Sequence, residues 1–116
     1  MNSNITKGDE VKESVNPFKV GDILIGEKIF YGLYPVFFEV VRCTKKQVVV
    51  KELITSCDSG NCVWGYKKPC PGEYFSEETF TGEIDKEEWG AYSSYINGIY
   101  VILWGGQPAF CHNVLV

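Results

Sequence analysis

Residues 36–54 read VFFEVVRCTKKQVVVKELI, and the fold class turns on how they are read. Two arms, 36–43 and 48–54, are dense in β-branched and aromatic residues, which are stiff at χ1 and pack well on a pleated surface. Both have ordinary strand length. The polar Thr44-Lys45-Lys46-Gln47 between them closes a hairpin. Val48, Val49 and Val50 are consecutive, so alternation assigns no single inward face. Burial on both sides, as in a small barrel, accounts for such a run.

Outward from this hairpin the pattern stays β-like. On the N-terminal side, FKVGDILIG (18–26) places Phe18, Val20, Ile23 and Ile25 around a Gly21-Asp22 turn, and a turn-rich stretch follows. On the C-terminal side, IYVILW, then Gly105-Gly106, then QPAFCHNVLV predict a second hairpin. Two adjacent glycines suit a type I′ turn, where both central residues need φ > 0. Pro108 removes a ladder donor and points to an edge strand. Strands are expected near 19–25, 36–43, 47–54, 99–104 and 108–115. Residues 56–90, rich in glycine, proline and acids, read as a long central loop. Over 85–96 two readings stay open. One is a short helix capped by Asp85 and Glu88 with Trp89, Tyr92 and Ile96 on one face; the other is a strand from Tyr92. The expected architecture is all-β: a small antiparallel SH3-like barrel over residues 17–116, preceded by a flexible arm over 1–16.

With 116 residues, 45% hydrophobic and 15% aromatic, the chain is long enough for one modest core. No apolar run approaches the roughly 18 residues of a membrane helix, and the first residues carry no signal-peptide pattern. The expected compartment is a reducing bacterial cytoplasm, where cysteines are mostly plain thiols. The net charge of −4 argues against an extended phosphate-binding surface. Charge is unevenly placed. Seven acids and one base, Lys86, lie between Glu73 and Glu88, whereas Arg42, Lys45, Lys46 and Lys51 form a basic stretch with no acid inside it.

The segments FKVGDILI, FFEVVRCTKKQVVVKEL and YVILWGGQPAF, in that order, resemble a group of small uncharacterised SH3-like proteins of phages and mobile elements in gut and oral bacteria. Val20-Gly21-Asp22 matches the group's opening strand, 38–53 its hairpin, and 103–108 its LWDGKP turn, with Phe110 as the aromatic that follows. Gly105 and Gln107 replace the group's Asp and Lys. The resemblance covers roughly residues 17–112. It implies an SH3-like barrel and a mobile-element origin, and it carries no catalytic or binding residue.

Little in the chain looks catalytic. Nucleophilic or acid–base chemistry needs a nucleophile, a base and an orienter in reach of one another. The single histidine, His112, follows Cys111 on an expected strand, where neighbours point to opposite faces. The carboxylates of GEIDKEEWG read as solvated charge, and WGGQP lacks the lysine and helix of a phosphate loop. The sequence predicts a non-enzyme without cofactor. In TSCDSGNCVWGYKKPC (55–70), Cys57, Cys62 and Cys70 read as loop thiols, with Cys43 and Cys111 as small strand hydrophobes. A zinc site, and a Cys57–Cys62 disulfide closing the DSGN turn, are the alternatives.

The candidate binding surface comprises Trp64, Tyr66, Tyr74 and Phe75 in this loop, followed by Glu77, Glu78, Glu83, Asp85, Glu87 and Glu88. Trp and Tyr are the commonest interface anchors, and loops on a rigid scaffold are where binding residues gather. The competing reading folds these aromatics over the barrel's open end as a lid. Two functions follow. In the first, a mobile-element accessory protein binds and inhibits a host protein, plausibly a defence component of the CRISPR type, with the acidic run imitating nucleic acid. In the second, an SH3-like module binds nucleic acid or a nucleotide through Arg42, Lys45, Lys46 and Lys51. The first is favoured, with a host protein as partner and no membrane association.

Overall fold

A computed structural model describes residues 16–29, 32–60 and 64–113, apart from the side chains of 58–60, 112 and 113. The expected flexible arm over 1–16 lies outside the described residues except for Asn16. Seven strands run in chain order: β1 (Ile23–Ile29), β2 (Gly32–Cys43), β3 (Gln47–Gly60), β4 (Trp64–Lys86), β5 (Tyr92–Ile96), β6 (Ile99–Leu103) and β7 (Ala109–Asn113). The 36–54 hairpin forms as its sequence predicts, with Val40 opposite Val50 and Cys43 opposite Val48. A one-residue bulge at Val41 interrupts the register and adds local twist.

Strands β1 to β6 each pair antiparallel with the next, and β6 returns to β1. The result is a closed six-stranded barrel, all-β as expected. Its interior holds Leu24, Val36, Phe38, Val40, Val48, Val50, Ile96 and Val101, all buried. Val49 is also buried, and Phe37, outside the barrel wall, is fully covered. Trp104 meets Phe37 edge to face, ring centroids 5.6 Å apart. Burial on both sides of the wall is therefore what the consecutive valines and phenylalanines encode.

Two expectations give way, and one open choice is resolved. The central loop is not a loop: β4 runs through it, and β3 extends to Gly60 to pair with it. Glycines and prolines were compatible with this because β4 is irregular, carrying its extra residues in bulges around 70–73 and 75–78 rather than in a coil. The helix is absent from 85–96; residues 92–96 are strand β5, the second of the two readings. The closing segments do not pair with each other either. β6 pairs with β5 and β1, while β7 pairs with β2 and β4. Only Gly106 of the glycine pair takes a positive φ, at 95°. Trp104 Nε1 donates to the Gln107 carbonyl at 2.6 Å, so the segment makes a crossing turn on the barrel's outside instead of a hairpin.

The hairpin that does form there is β5–β6, with Ile96 opposite Ile99. Asn97 and Gly98 are its two loop residues, at φ 52° and 82°. A type I′ loop demands two left-handed residues, and Asn-Gly is the pair that adopts them at least cost.

At one end the strap 16–22 closes the barrel. Phe18 is buried in the core cluster. Asn16 Nδ2 donates to the carbonyls of Thr44 and Gln47 at 2.8 and 3.1 Å, and Gly21 N donates to the Val40 carbonyl at 2.8 Å. At the other end, beyond Leu53 and Tyr74, β3 and β4 leave the barrel as an arm. Strand β7, paired with both β4 and the start of β2, continues the sheet there.

Candidate functional site

The arm carries the two aromatics on which the sequence reading centred. Trp64 and Tyr66 are two residues apart on β4, so their side chains share one face. Tyr66 stands opposite Phe110 on β7, and Trp64 opposite His112. Phe110 is packed edge to face against both rings, with centroids 5.4 Å from Trp64 and 5.6 Å from Tyr66. Trp64 remains 56% exposed and Tyr66 46%. Three rings thus form one rigid, solvent-facing patch, held by strand pairing from both sides rather than by a loop. They lie along a sheet face and not over the barrel's end. The opposite face of this sheet, with Gly65 across from Cys111, is buried. Phe110 is the member the sequence reading left out of the site; the register of a strand that pairs with β4 was not legible beforehand.

Tyr74 precedes the second bulge of β4 and Phe75 opens it, and the two part company. Phe75 is 72% exposed at the bulge. Tyr74 belongs to a polar cluster on the barrel wall. Its hydroxyl donates to Glu39 Oε2 at 3.2 Å, and Gly72 N donates to Glu39 Oε1 at 2.9 Å, which ties the first bulge down. Burial pushes the Tyr74 phenol above its ordinary pKa, and the Glu39 carboxylate adds to that. Lys51 Nζ lies 4.8 Å from the centre of the Tyr74 ring and 2.9 Å from Glu77 Oε1. The hydrogen bond to Glu77 holds the Lys51 ammonium above its usual range. Glu77 is 88% exposed, and exposed ion pairs contribute little. Glu77→Gln is therefore expected to lower stability by less than about 1 kcal/mol in urea denaturation.

The acidic residues do not make one face. Glu83 and Asp85 alternate along the outer side of β4, both exposed, and Glu78 and Glu88 are exposed in the second bulge and in the β4–β5 turn. Glu87 turns inward: Ser93 Oγ, fully buried, donates to its Oε2 at 2.5 Å. Burial and the Glu87 carboxylate, partly offset by Ser93, push the neighbouring Tyr100 phenol up. The basic stretch is divided as well. Arg42, Lys45 and Lys46 are exposed around the β2–β3 turn, while Lys51 is committed to Glu77 and Tyr74. Gln47 pairs with Glu83, so the basic turn abuts the acidic row of β4.

The thiols separate by element. Cys43 Sγ donates to the Phe18 carbonyl at 3.4 Å, and burial, then Asp22, pushes its pKa up. Cys57, exposed on the arm, accepts a contact from Lys67 Nζ at 3.4 Å. Cys62, and with it the geometry of a Cys57–Cys62 bridge, lies outside the described residues, as does the side chain of His112. Among the described residues no group of three His, Cys, Asp or Glu is arranged to hold a metal ion.

A second apolar surface was not anticipated. Pro17, Phe18, Trp89, Tyr92 and Leu103 line a groove of about 330 Å³ beside the strapped end of the barrel. Trp89 is 66% exposed there. Of the two readings open for 85–96, only the helix assigned Trp89 a place, and the structure puts Trp89 in the turn before β5 instead.

Comparison with known proteins returned no matching family model, no matching curated protein and no matching solved structure. Among the described residues no helix is long and apolar enough to cross a membrane.

Proposed function

We propose that this chain is a non-enzymatic interaction protein that docks on a partner protein through the aromatic patch of its arm. The observation that carries this reading is the Trp64–Tyr66–Phe110 cluster. Three aromatic rings held on a paired sheet, with two of them about half exposed, represent apolar area that a monomer gains nothing by showing to water. Rigid rings lose little entropy on binding, which suits them to anchor an interface. The mobile-element origin implied by the resemblance makes a bacterial host protein the natural partner, met in the cytoplasm. Glu78, Glu83, Asp85 and Glu88 contribute steering towards a basic surface, because exposed charges act mainly on association rate. Division of the acids among several structural roles supports a part for them in steering more than full imitation of a nucleic-acid strand.

The test compares proteins captured from a bacterial lysate by immobilised wild-type chain and by Trp64→Ala. A specific partner should bind wild type more tightly than Trp64→Ala by about 2 kcal/mol or more, the scale of an interface anchor. Thermal unfolding of the variant should change only by the loss of an aromatic pair, on the order of 1 kcal/mol. Equal capture by both proteins would remove the patch from the interface. Salt-dependent binding of single-stranded DNA or RNA, lost on replacing Arg42, Lys45 and Lys46, would instead favour the nucleic-acid reading, since phosphate contacts give a steep salt slope.

A further inference from the structure

The barrel closes between β1 and β6 over a short ladder: Leu24 stands opposite Leu103, Ile25 opposite Ile102 and Gly26 opposite Val101, and the pairing stops there. Leu24 and Val101 are buried in the core. Strand residues alternate between faces, so Ile25 and Glu27 point outward from β1, as do Tyr100 and Ile102 from β6. Where the ladder ends, a cavity of about 240 Å³ opens on the outside of the wall, lined by Ile25, Gly26, Glu27, Tyr100 and Ile102. Two aliphatic side chains, one carboxylate and one aromatic ring face the same space.

The ring is held in place. Tyr100 stands opposite Tyr95 on β5, and the two rings pack edge to face with centroids 5.4 Å apart. The Tyr100 hydroxyl is hydrogen-bonded to Glu87 and Ser93, and Glu87 also accepts from Ser93 Oγ, so that carboxylate is committed within the wall. Glu27 is exposed, and among the described residues its carboxylate makes no ion pair. On the far flank, Ile84 pairs with Ser94, which brings the exposed Glu83 level with Tyr95. Glu83 also makes no ion pair among the described residues, although the basic turn at Lys45 and Lys46 abuts it. Across four strands the outer row thus runs Glu83, Tyr95, Tyr100, Glu27: two rings between two carboxylates. Ring faces carry negative potential, and the carboxylates add to it, so the complement of this row is a cation.

We infer that this cavity receives an arginine side chain of a partner protein: the guanidinium lies against the Tyr100 ring and donates to the Glu27 carboxylate, while its methylene stem covers Ile25 and Ile102. Arginine suits the site better than lysine. Its planar fork both stacks on a ring and bonds a carboxylate through two N–H groups, and it is less strongly hydrated than an ammonium. The aliphatic stem of the side chain matches the two isoleucines. That the arginine belongs to a protein rests on the reading of the arm as a protein-docking surface. The wall then supplies a second contact, and it selects a partner that presents a basic residue.

Titration of the isotope-labelled full chain with the capped tripeptide glycyl-arginyl-glycine, followed by amide NMR, tests this. Weak but saturable shifts should appear at residues 25–27 and 100–102. The citrulline tripeptide, neutral and of the same shape, should not bind, and the lysine tripeptide should bind about threefold more weakly or worse. Glu27→Gln should weaken binding about fivefold or more, the scale of a lost charge-assisted bond. Tyr100→Leu should weaken it about threefold, the scale of an exposed cation–π contact. Because Glu27 is exposed, Glu27→Gln keeps the fold and decides the matter even where Tyr100→Leu loosens the wall. Trp64→Ala should bind the tripeptide as wild type does. Equal binding of the citrulline tripeptide, an unchanged affinity in Glu27→Gln, or shifts gathered on the arm at 64–69 and 109–111 would overturn the inference. Free arginine binding more tightly than the capped tripeptide would overturn it too, by assigning the site to a small metabolite. If Trp64→Ala captures the same lysate proteins as wild type while the arginine tripeptide still binds at 25–27 and 100–102, the reading of the arm falls and the arginine site stands.

Discussion

Gly82→Ala is expected to destabilise the barrel by about 3 kcal/mol, and Gly26→Ala by a similar amount, both visible as lower urea midpoints. Each glycine sits where neighbouring strands crowd the inside of the wall. A Cβ at Gly82 would collide with Ser94 Oγ and lie 2.6 Å from Ile96 Cδ1 and 2.7 Å from the Tyr95 carbonyl oxygen. At Gly26 it would lie 2.6 Å from both Ile99 Cγ2 and the Tyr100 carbonyl oxygen. A side-chain methyl can rotate aside, but a carbonyl in a paired strand moves only with its strand, and that breaks pairing in a closed barrel. Gly105→Ala is the control. It meets nothing within 4 Å and needs no positive φ, so it should stay within about 0.5 kcal/mol of wild type. Equal effects at all three positions would show that the clashes relax and that the wall is looser than its register implies.

Neither glycine was legible as a closure point in the sequence, whereas the hairpin at 36–54 was. The difference is one of range. Val36 to Ile54 announce their state through local composition, and the turn lies within the same window. Gly26 and Gly82 matter because of Ile99, Tyr100, Ser94 and Ile96, whose proximity exists only after six strands have closed. The same limit governs the arm. Trp64 and Tyr66 stood out as aromatics amid glycine and proline, and the structure exposes them. Their assignment to a loop failed because the glycines and prolines that suggested coil are absorbed in β4, either in its bulges or, like Pro69 opposite Thr55, within its paired stretch. Phe110 joined the patch through a pairing between segments more than 40 residues apart, which no periodicity records. Asn97-Gly98 between apolar runs is a stronger hairpin signal than Gly105-Gly106. Reading it would have settled residues 92–96 as a strand and freed Trp89 from the helix, leaving it on a turn beside the groove.

Phe18→Ala should be the most damaging of the single truncations outside the strands, costing about 3–4 kcal/mol. Phe18 is 5% exposed although it belongs to no strand, and it packs in the cluster formed by barrel residues. Its removal leaves a cavity at the end of the core that the strap cannot easily collapse into. Asn16 fixes the strap to the Thr44 and Gln47 carbonyls, and Lys19 N is bonded to Asp22 Oδ2 at 2.9 Å. Val20, two residues on, is 67% exposed, and Val20→Ala should change stability by no more than about 0.5 kcal/mol. A second readout comes from Cys43, whose thiol is half-buried and bonded to the Phe18 carbonyl. Loosening the strap should speed alkylation at Cys43, resolved by mass spectrometry of its peptide, because burial is the first cause of that thiol's raised pKa. If Phe18→Ala is as mild as Val20→Ala and Cys43 reacts no faster, the strap is an ornament on a barrel that closes without it. If both effects appear, the strap 16–22 is part of the folding unit, and the groove shared by Pro17, Phe18 and Trp89 has a floor made of core.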